Sequence, residues 1–366
     1  MTTVFEKVGD GPRTHAFVIG VGAYPHCGTY DRGGPLGSVV RRFTPVKAPP
    51  RSAKALADWL VKHQADNDFA PLGSVELLMS GESTVDTPTR PNFEDAFWRW
   101  YHRCDERADN VALFFFSGHG CAAEDQLVLL EDFGISAGNP FNEALQVGAL
   151  HRGMGKCKAR VQCYFVDACR TVPEELLGAR PISAYSVIQS MLPYSPADAS
   201  IYYATRPGAT APGADSGPTP FTKALLQALE GGAAANTNGD LWEVRTDLLT
   251  RAMDALIEWE TGKEQGLTAS PLHGAVLRHL SGAPTVPFRL GCSPREALGQ
   301  ASLTLTADEF EASRGPVPAL WEDEAAADSY TYNAHFPCLR YTDAHRRIGI
   351  YPPNRTFDLP VRGCDA

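Results

Sequence analysis

Two short stretches constrain this chain more than anything else in it: VALFFF, Val111 to Phe116, and VQCYFV, Val161 to Val166. Both are too short for a helix of ordinary length and rich in β-branched and aromatic residues, so they read as strands. Neither shows the in-out alternation of a strand with one wet face. Strands of that kind must be covered on both sides, the condition of central parallel strands packed between helices. Both stop abruptly, on Ser117-Gly118-His119-Gly120 and on Asp167-Ala168-Cys169-Arg170.

The surrounding sequence supplies partners for them. HAFVIGVG from His15 and VELLM from Val75 read as further strands, SIYYA from Ser200 as a later one, and LVLL, Leu127 to Leu130, as a short one. Between them, Ala53, Leu56, Ala57, Leu60 and Val61 recur at helical spacing, as do Phe93, Ala96, Phe97 and Trp100. The stretch from Ala144 to Leu150 is helix-prone, FTKALLQAL begins a helix at Phe221, and Leu248, Ala252, Leu256 and Trp259 mark a last amphipathic one. Strand and helix in alternation is the α/β pattern, with a mostly parallel sheet. Two Pro- and Gly-rich loops interrupt it, Tyr24 to Pro50 and Thr205 to Pro220; the first is expected to be long and mobile. Beyond about Pro284 the texture changes to alternating SLTLT, SYTYNAHF, RIGIY and TFDLPV around an acid-rich stretch at Glu322, Asp323 and Glu324. The spacing predicts four short strands, so we expect a main domain over 1–283 and a small β-rich C-terminal extension over 284–366.

Composition narrows the function. The 366 residues are 43% hydrophobic, enough for a substantial core, and carry a formal charge of −10 with no run of bases longer than a pair. Nucleic-acid binding is not expected. No apolar stretch approaches the roughly 18 residues of a membrane span, and the N-terminus lacks an apolar leader, so a soluble, cytoplasmic chain without membrane partners is the expectation. Nine cysteines without any CxxC pair suit free thiols in a reducing compartment. Cys157, Cys163 and Cys169 recur every six positions but fit no zinc spacing, and GVGAYP has Pro25 where a dinucleotide loop needs glycine.

What remains is a thiol and an imidazole. Ligands of parallel sheets bind beyond the carboxyl ends of the strands, where His119 and Cys169 fall, fifty residues apart, a separation that suits one crossover between neighbouring strands. A thiol of ordinary pKa about 8.5 is mostly protonated at neutral pH, and an imidazole beside it can take the proton as the sulfur attacks an acyl carbon. The backbone N–H groups of Gly120 and Cys169 are candidates for the oxyanion hole. No cofactor is required for that chemistry. Glu124, Asp125, Glu131 and Asp132 could hold Ca²⁺, with a solvated acidic loop as the default reading.

FFFSGHG and CYFVDACR resemble the His-Gly and Asp/Gln-x-Cys blocks of the caspase-like cysteine peptidases, the group of caspases, metacaspases, separase and CHAT proteases. HAFVIGVGAY, YYATRPGATA and FTKALLQAL are similar to the first strand and the post-cysteine strand, loop and helix of bacterial metacaspase-like proteins, so the resemblance runs from about His15 to Leu280. It implies a caspase-like (caspase–hemoglobinase) fold for 1–283 and a cysteine endopeptidase. Asp167, two positions before the cysteine and on the same face of an extended strand, stands where caspases carry Gln; the resemblance is to the metacaspase and separase pattern of cutting after Arg or Lys. Metacaspases place a second pocket acid at the start of the first helix, where this chain offers Ser52, and Asp31 in the preceding loop is the candidate substitute. The family also implies a regulated, zymogen-like enzyme in a proteolytic signalling or antiviral-defence cascade, with protein substrates bearing exposed basic residues and an upstream activating protease or regulator as partners. Arg41, Arg42, Lys47 and Arg51 are the candidate activation stretch, since Arg90, Arg180 and Arg206 each precede proline. The alternatives are an interaction scaffold acting through the C-terminal extension, caspase-like cleavage after Asp, and a nonproteolytic acyl hydrolase or transferase.

Overall fold

The structure, a computed structural model, describes residues 2–364 except 32, 123–124, 173–183, 189–197, 212, 215, 238–240, 264, 271–272 and 338–339, and of 34–36 the backbone alone. In chain order the first elements are β1 (Thr3–Glu6), β2 (Thr14–Gly20), α1 (Gly34–Val40), α2 (Ala48–His63), β3 (Leu72–Met79), α3 (Arg90–Cys104) and β4 (Val111–Ser117). They continue with β5 (Gly120–Ala122), β6 (Gln126–Leu129), β7 (Ala144–Gln146), α4 (Val147–Gly153), β8 (Val161–Asp167), β9 (Asp198–Tyr203), α5 (Pro220–Gln227), β10 (Ala234–Asn236), β11 (Trp242–Arg245), α6 (Thr246–Thr261), β12 (Thr268–Ser270) and β13 (Val276–Leu280). Two compact units result, one of 1–226 and 245–279, the other of 227–244 and 280–366. The second unit thus takes in a segment well upstream of residue 284.

The first unit is built on a seven-stranded sheet of order β1-β3-β2-β4-β8-β9-β12. The five inner strands are parallel, and antiparallel β1 and β12 close its edges. VALFFF lies at the centre, as its lack of alternation requires: every residue of β2, β3 and β4 is buried. Phe17 of β2 packs on Phe93 and Trp100 of α3, with ring centroids 5.2 and 6.0 Å apart. Gly20, on the opposite face by strand alternation, abuts Ala53 of α2. Helices therefore cover both faces. A small antiparallel sheet, β5-β6-β7, follows the end of β4.

Several expectations shift in detail. The stretch from Tyr24 to Pro50 is not an open loop: it contains α1, its backbone returns to the segment just past β2 through a Val46 N–H to Gly22 O bond of 2.9 Å, and Arg51 already belongs to α2. The α2 stripe turns to bury Trp59, leaving Val61 37% exposed. In α6 the buried stripe is Leu249, Ala252, Met253, Leu256 and Ile257, turned away from Leu248 and Trp259. The expected helix at Ala144 begins as β7 and becomes α4 only at Val147.

The second unit carries β10 paired with β11, then β14 (Thr285–Ser293), β15 (Ser302–Ala307), β16 (Phe310–Arg314), β17 (Trp321–Ala326), β18 (Asp328–His335), β19 (Ala344–Ile350) and β20 (Arg355–Pro360). These seven later strands form sheets of order β17-β14-β20 and β16-β15-β18-β19. The four strands expected correspond to β15, β18, β19 and β20. Three were illegible because pairing overrides propensity: β14 contains Pro287 and Gly291, β16 is a short strand that follows the acidic pair Asp308 and Glu309, and β17 is the acid-rich run itself, turning Trp321 and Ala325 inward while Glu322, Asp323 and Glu324 stay exposed. No helix among the described residues is long and apolar enough to cross a membrane.

Candidate active site

Register brings His119 and Cys169 to one edge. β4 and β8 are parallel neighbours with Ser117 opposite Asp167, so His119 and Cys169 each lie two residues beyond the last pair, and the Gly118 N–H still reaches Asp167 O at 3.2 Å. The two strand ends abut closely. A Cβ on Gly120 would come within 3.0 Å of the Ala168 side chain and 2.8 Å of Leu127 O, so only glycine fits there. Gly120 sits opposite Val128 in β6, and the flanking ladder bond runs from Leu129 N–H to His119 O at 3.0 Å. Gly120 is therefore a non-hydrogen-bonded pair whose N–H points away from β6. On that side the Ala122 N–H donates to Thr171 O, just past Cys169.

His119 is held from three directions. Its Nε2 lies 2.7 Å from the Thr44 carbonyl. A carbonyl can only accept, so Nε2 carries the proton and Nδ1 keeps its lone pair. The ring lies between those of Tyr24 and Phe43, with centroids 4.9 and 5.4 Å away, and the His119 N–H donates to the Tyr24 hydroxyl at 2.7 Å. Burial lowers the imidazole pKa below its usual value, and the Thr44 bond offsets part of that.

Cys169 is half-buried. Burial raises its thiol pKa, the Ala211 N–H donating to Sγ at 3.2 Å works against this, and the Asp167 carboxylate adds to it. A lowered imidazole and a raised thiol make the resting pair neutral. Gln126 ties the strand ends together, its amide donating to Cys169 O at 3.0 Å while its carbonyl accepts from Arg170 Nε at 3.2 Å. The Arg170 guanidinium lies 4.0 Å over the Tyr203 ring.

Asp167 is only 3% exposed and caged by hydroxyls. Its Oδ2 accepts from Thr219 at 2.5 Å, Ser117 at 3.1 Å and Thr222 at 3.2 Å. Burial raises its pKa to about 6, a shift the three hydroxyls limit. Ser52 joins this cluster, for its Oγ accepts the Thr219 N–H at 3.0 Å. Asp31 is exposed and shares no hydrogen bond with the cluster among the described residues.

A family model of the caspase domain matches residues 13–270. The chain belongs to the caspase-domain family. That family consists of cysteine peptidases, and the sheet with its flanking helices is the caspase-like α/β fold. The chain is 29% identical over 282 residues to the uncharacterized protein y4kE of Sinorhizobium fredii, covering 69% of this chain and 80% of that one. It is 27% identical over 219 residues to a protein named a probable protease from a Desulfuromonadales bacterium, covering 54% of this chain and 25% of that longer protein. Caspase-1 from Spodoptera frugiperda is a similar solved structure, with a TM-score of 0.45 and 12% identity over 73% of this chain and 89% of that one.

Other residues of the caspase domain singled out from sequence serve structural ends. Asp125 accepts the N–H groups of Gly148 and Ala149 at the start of α4, Asp132 accepts the Arg90 N–H that opens α3, and Glu131 accepts the Ser80 hydroxyl. No group of three metal-ligating side chains occurs among the described residues. Glu124 and Arg180 lie outside the described residues. Arg41, Arg42 and Lys47 are exposed, but the backbone from Arg41 to Thr44 is held in hydrogen-bonded turns and the Arg41 guanidinium donates to Tyr30 O at 2.9 Å.

Sequence reading misses Thr44, which acts through a carbonyl and so leaves no side-chain signal, Gln126, which the β5-β6 pairing turns toward Cys169, and Ala211, which a loop brings in. Thr219 was findable. Threonine before Pro220 at the head of a helix is an N-cap pattern, and its hydroxyl accepts the Thr222 N–H at 3.2 Å while giving its proton to Asp167.

Proposed function

We propose that this chain is a cysteine endopeptidase cleaving after Arg or Lys, with Cys169 as nucleophile, His119 as general base and acid, and the backbone N–H groups of Gly120 and Cys169 as oxyanion donors. The observation carrying this reading is the shared register of Ser117 and Asp167, with His119 and Cys169 equally far beyond it and the Thr44 carbonyl fixing the imidazole tautomer. Because the resting pair is neutral, the thiol proton passes to Nδ1 as the sulfur–carbon bond forms. The carbonyl oxygen takes up the negative charge facing the two N–H groups. When the tetrahedral centre collapses, the carbon–nitrogen bond breaks and Nδ1 returns the proton to the leaving amine. A water, losing its proton to the same nitrogen, then hydrolyses the thioester and frees the thiol.

Asp167 supplies the negative charge at the base of the primary pocket, with Ser52 and the hydroxyls around it in place of a second acid. The enzyme is further proposed to be a regulated member of a proteolytic cascade, acting on proteins with exposed basic residues and answering to an upstream protease or regulator. The test compares purified wild type with Cys169→Ala on matched peptides ending in Arg, Lys or Asp. Cleavage after Arg and Lys that the variant lacks is expected; cleavage confined to Asp would overturn the pocket, and equal activity of the variant would overturn the nucleophile.

A further inference from the structure

Residues 22–46 leave the segment just past β2 and come back to it as a closed excursion. The Val46 N–H bonds to Gly22 O, and Gly22 has no room for a Cβ, which would lie 2.7 Å from Val46 O. Its two ends both serve one imidazole: Thr44 and Phe43 where it returns, and Tyr24 where it departs. Of these, Tyr24 acts twice. Its hydroxyl accepts the backbone N–H of His119 at 2.7 Å and its ring lies against the imidazole at 4.9 Å. The ring is 2% exposed, and the hydroxyl has Val21 O, 3.4 Å away, as acceptor for its own proton.

A buried hydroxyl is costly unless its bonds are made, and a phenylalanine would fill the same space more cheaply. Here the oxygen is needed by a specific group. His119 lies past the end of β4, where its N–H has no strand to pair with, and without the phenol that donor would be left in a largely buried setting. Fixing the His119 N–H fixes the Cα from which the imidazole projects, and the ring contact limits its swing. We infer that Tyr24 is a positioning residue for His119, holding the histidine backbone through its hydroxyl and the imidazole through its ring. This inference rests on the dyad proposed above.

The test uses the full chain as wild type, Tyr24→Phe, Tyr24→Leu, His119→Ala and the double variant Tyr24→Phe/His119→Ala. Two quantities are read: kcat and KM on a basic peptide, and the rate of Cys169 alkylation by iodoacetamide between pH 5 and 9. Misplacement of a catalytic group by about an ångström can cost up to roughly a hundredfold. Tyr24→Phe is expected to lower kcat about tenfold, leave KM within about twofold, and shift the pH profile of alkylation toward that of His119→Ala. The double variant should alkylate as His119→Ala does, because Tyr24 acts only through the histidine. A merely structural tyrosine would instead give losses that add in the double variant, and that result overturns the inference, as does a Tyr24→Phe enzyme within twofold of wild type on both readouts. If Tyr24→Leu fails to fold, Tyr24→Phe decides alone, since it removes a single oxygen. An alkylation profile that His119→Ala leaves unchanged would sink the dyad itself, an outcome distinct from failure at Tyr24.

Discussion

The ends of β4 and β8 are neighbours in one sheet, begin from similar apolar sequences and stop at the same level, yet they hold their polar groups by opposite means. At the end of β4 the imidazole is gripped by a backbone carbonyl and two aromatic rings, contributed by one excursion of the chain. At the end of β8 the carboxylate sits among side-chain hydroxyls from three separate elements, Ser117 of β4, Ser52 of α2 by way of Thr219, and Thr222 of α5. Rings and a carbonyl suit a base that must stay neutral and correctly tautomerised. Hydroxyls suit an anion that must survive burial. The difference teaches that a strand end supplies position, and that the chemistry of each end is set by what the rest of the chain folds around it.

The comparison breaks most sharply at the reactive atoms. Cys169→Ala and His119→Ala are each expected to lower kcat on a basic peptide by roughly 10³-fold or more, with the melting temperature little changed, because residues acting as a unit lose nearly everything when either goes. If the His119→Ala enzyme kept a tenth of wild-type activity, the histidine end would have no catalytic part.

Asp167 comes next, and it separates function from stability. Asp167→Asn removes the charge but keeps an oxygen for the hydroxyls, so kcat/KM on Arg and Lys peptides should fall about a hundredfold while small uncharged acyl substrates are spared. In the folded chain burial lifts the carboxyl pKa from 3.8 to about 6. The folded state therefore keeps this proton to higher pH than the unfolded state does, and the contribution of Asp167 to stability falls as pH rises from about 4 to about 6. Two units of pKa correspond to about 3 kcal/mol, so Asp167→Asn should be more stable than wild type by up to that amount at pH 8 and by nothing near pH 3. Thermal melts at the two pH values check the sign. Activity on basic peptides should rise with pH through about 6 as the pocket ionises, in step with the same group.

How much of this contrast was legible in sequence follows from how each group acts. His119, Cys169 and Asp167 are legible as a set: a lone thiol or imidazole at a strand end is ordinarily structural, but together, straight after two apolar strands and beside glycines, they point to chemistry. Their order along the chain and the crossover between them give the parallel pairing of β4 with β8. The grips do not announce themselves. Thr44 works through an atom every residue has, and Phe43 and Tyr24 read as ordinary hydrophobes in a Pro- and Gly-rich stretch. Ser52 reads as the loss of an acid, and only its bond to the Thr219 N–H shows that the position remains tied to Asp167. β14 and β17 were hidden for a related reason: proline and three consecutive acids oppose strand formation locally, and only their neighbours in the sheet outweigh that.

A smaller effect is expected from cutting the excursion. A recognition sequence for a foreign protease inserted between Arg42 and Phe43 leaves both anchors, Tyr24 and the Val46 bond to Gly22, but frees the chain just ahead of Phe43 and Thr44. Cutting there should lower kcat about tenfold by loosening the imidazole, the reverse of activation. A rise in activity on cutting, followed on the same preparation by gel and by peptide turnover, would instead make Arg41 and Arg42 an activation site.

The smallest effect should come from Ser52, and it tests whether the β8 end is a cage or a single contact. Ser52 is fully buried and holds Thr219 through the backbone N–H, whereas Thr219 holds Asp167 directly and also caps α5. Thr219→Val removes the shortest donor to the carboxylate and the cap together. It should cost about 1 to 2 kcal/mol and move the pH midpoint of activity upward, because the carboxylate loses a bond that favours its charged form. Ser52→Ala leaves all three hydroxyls on Oδ2 and removes one acceptor a shell further out. Its midpoint should stay where wild type has it, with activity within about threefold and a stability loss of about 1 kcal/mol for the unpaired N–H. Equal midpoint shifts in the two variants would mean that Ser52 feels the Asp167 charge as directly as Thr219 does, and the β8 end would then be a pocket in which the serine itself meets the substrate.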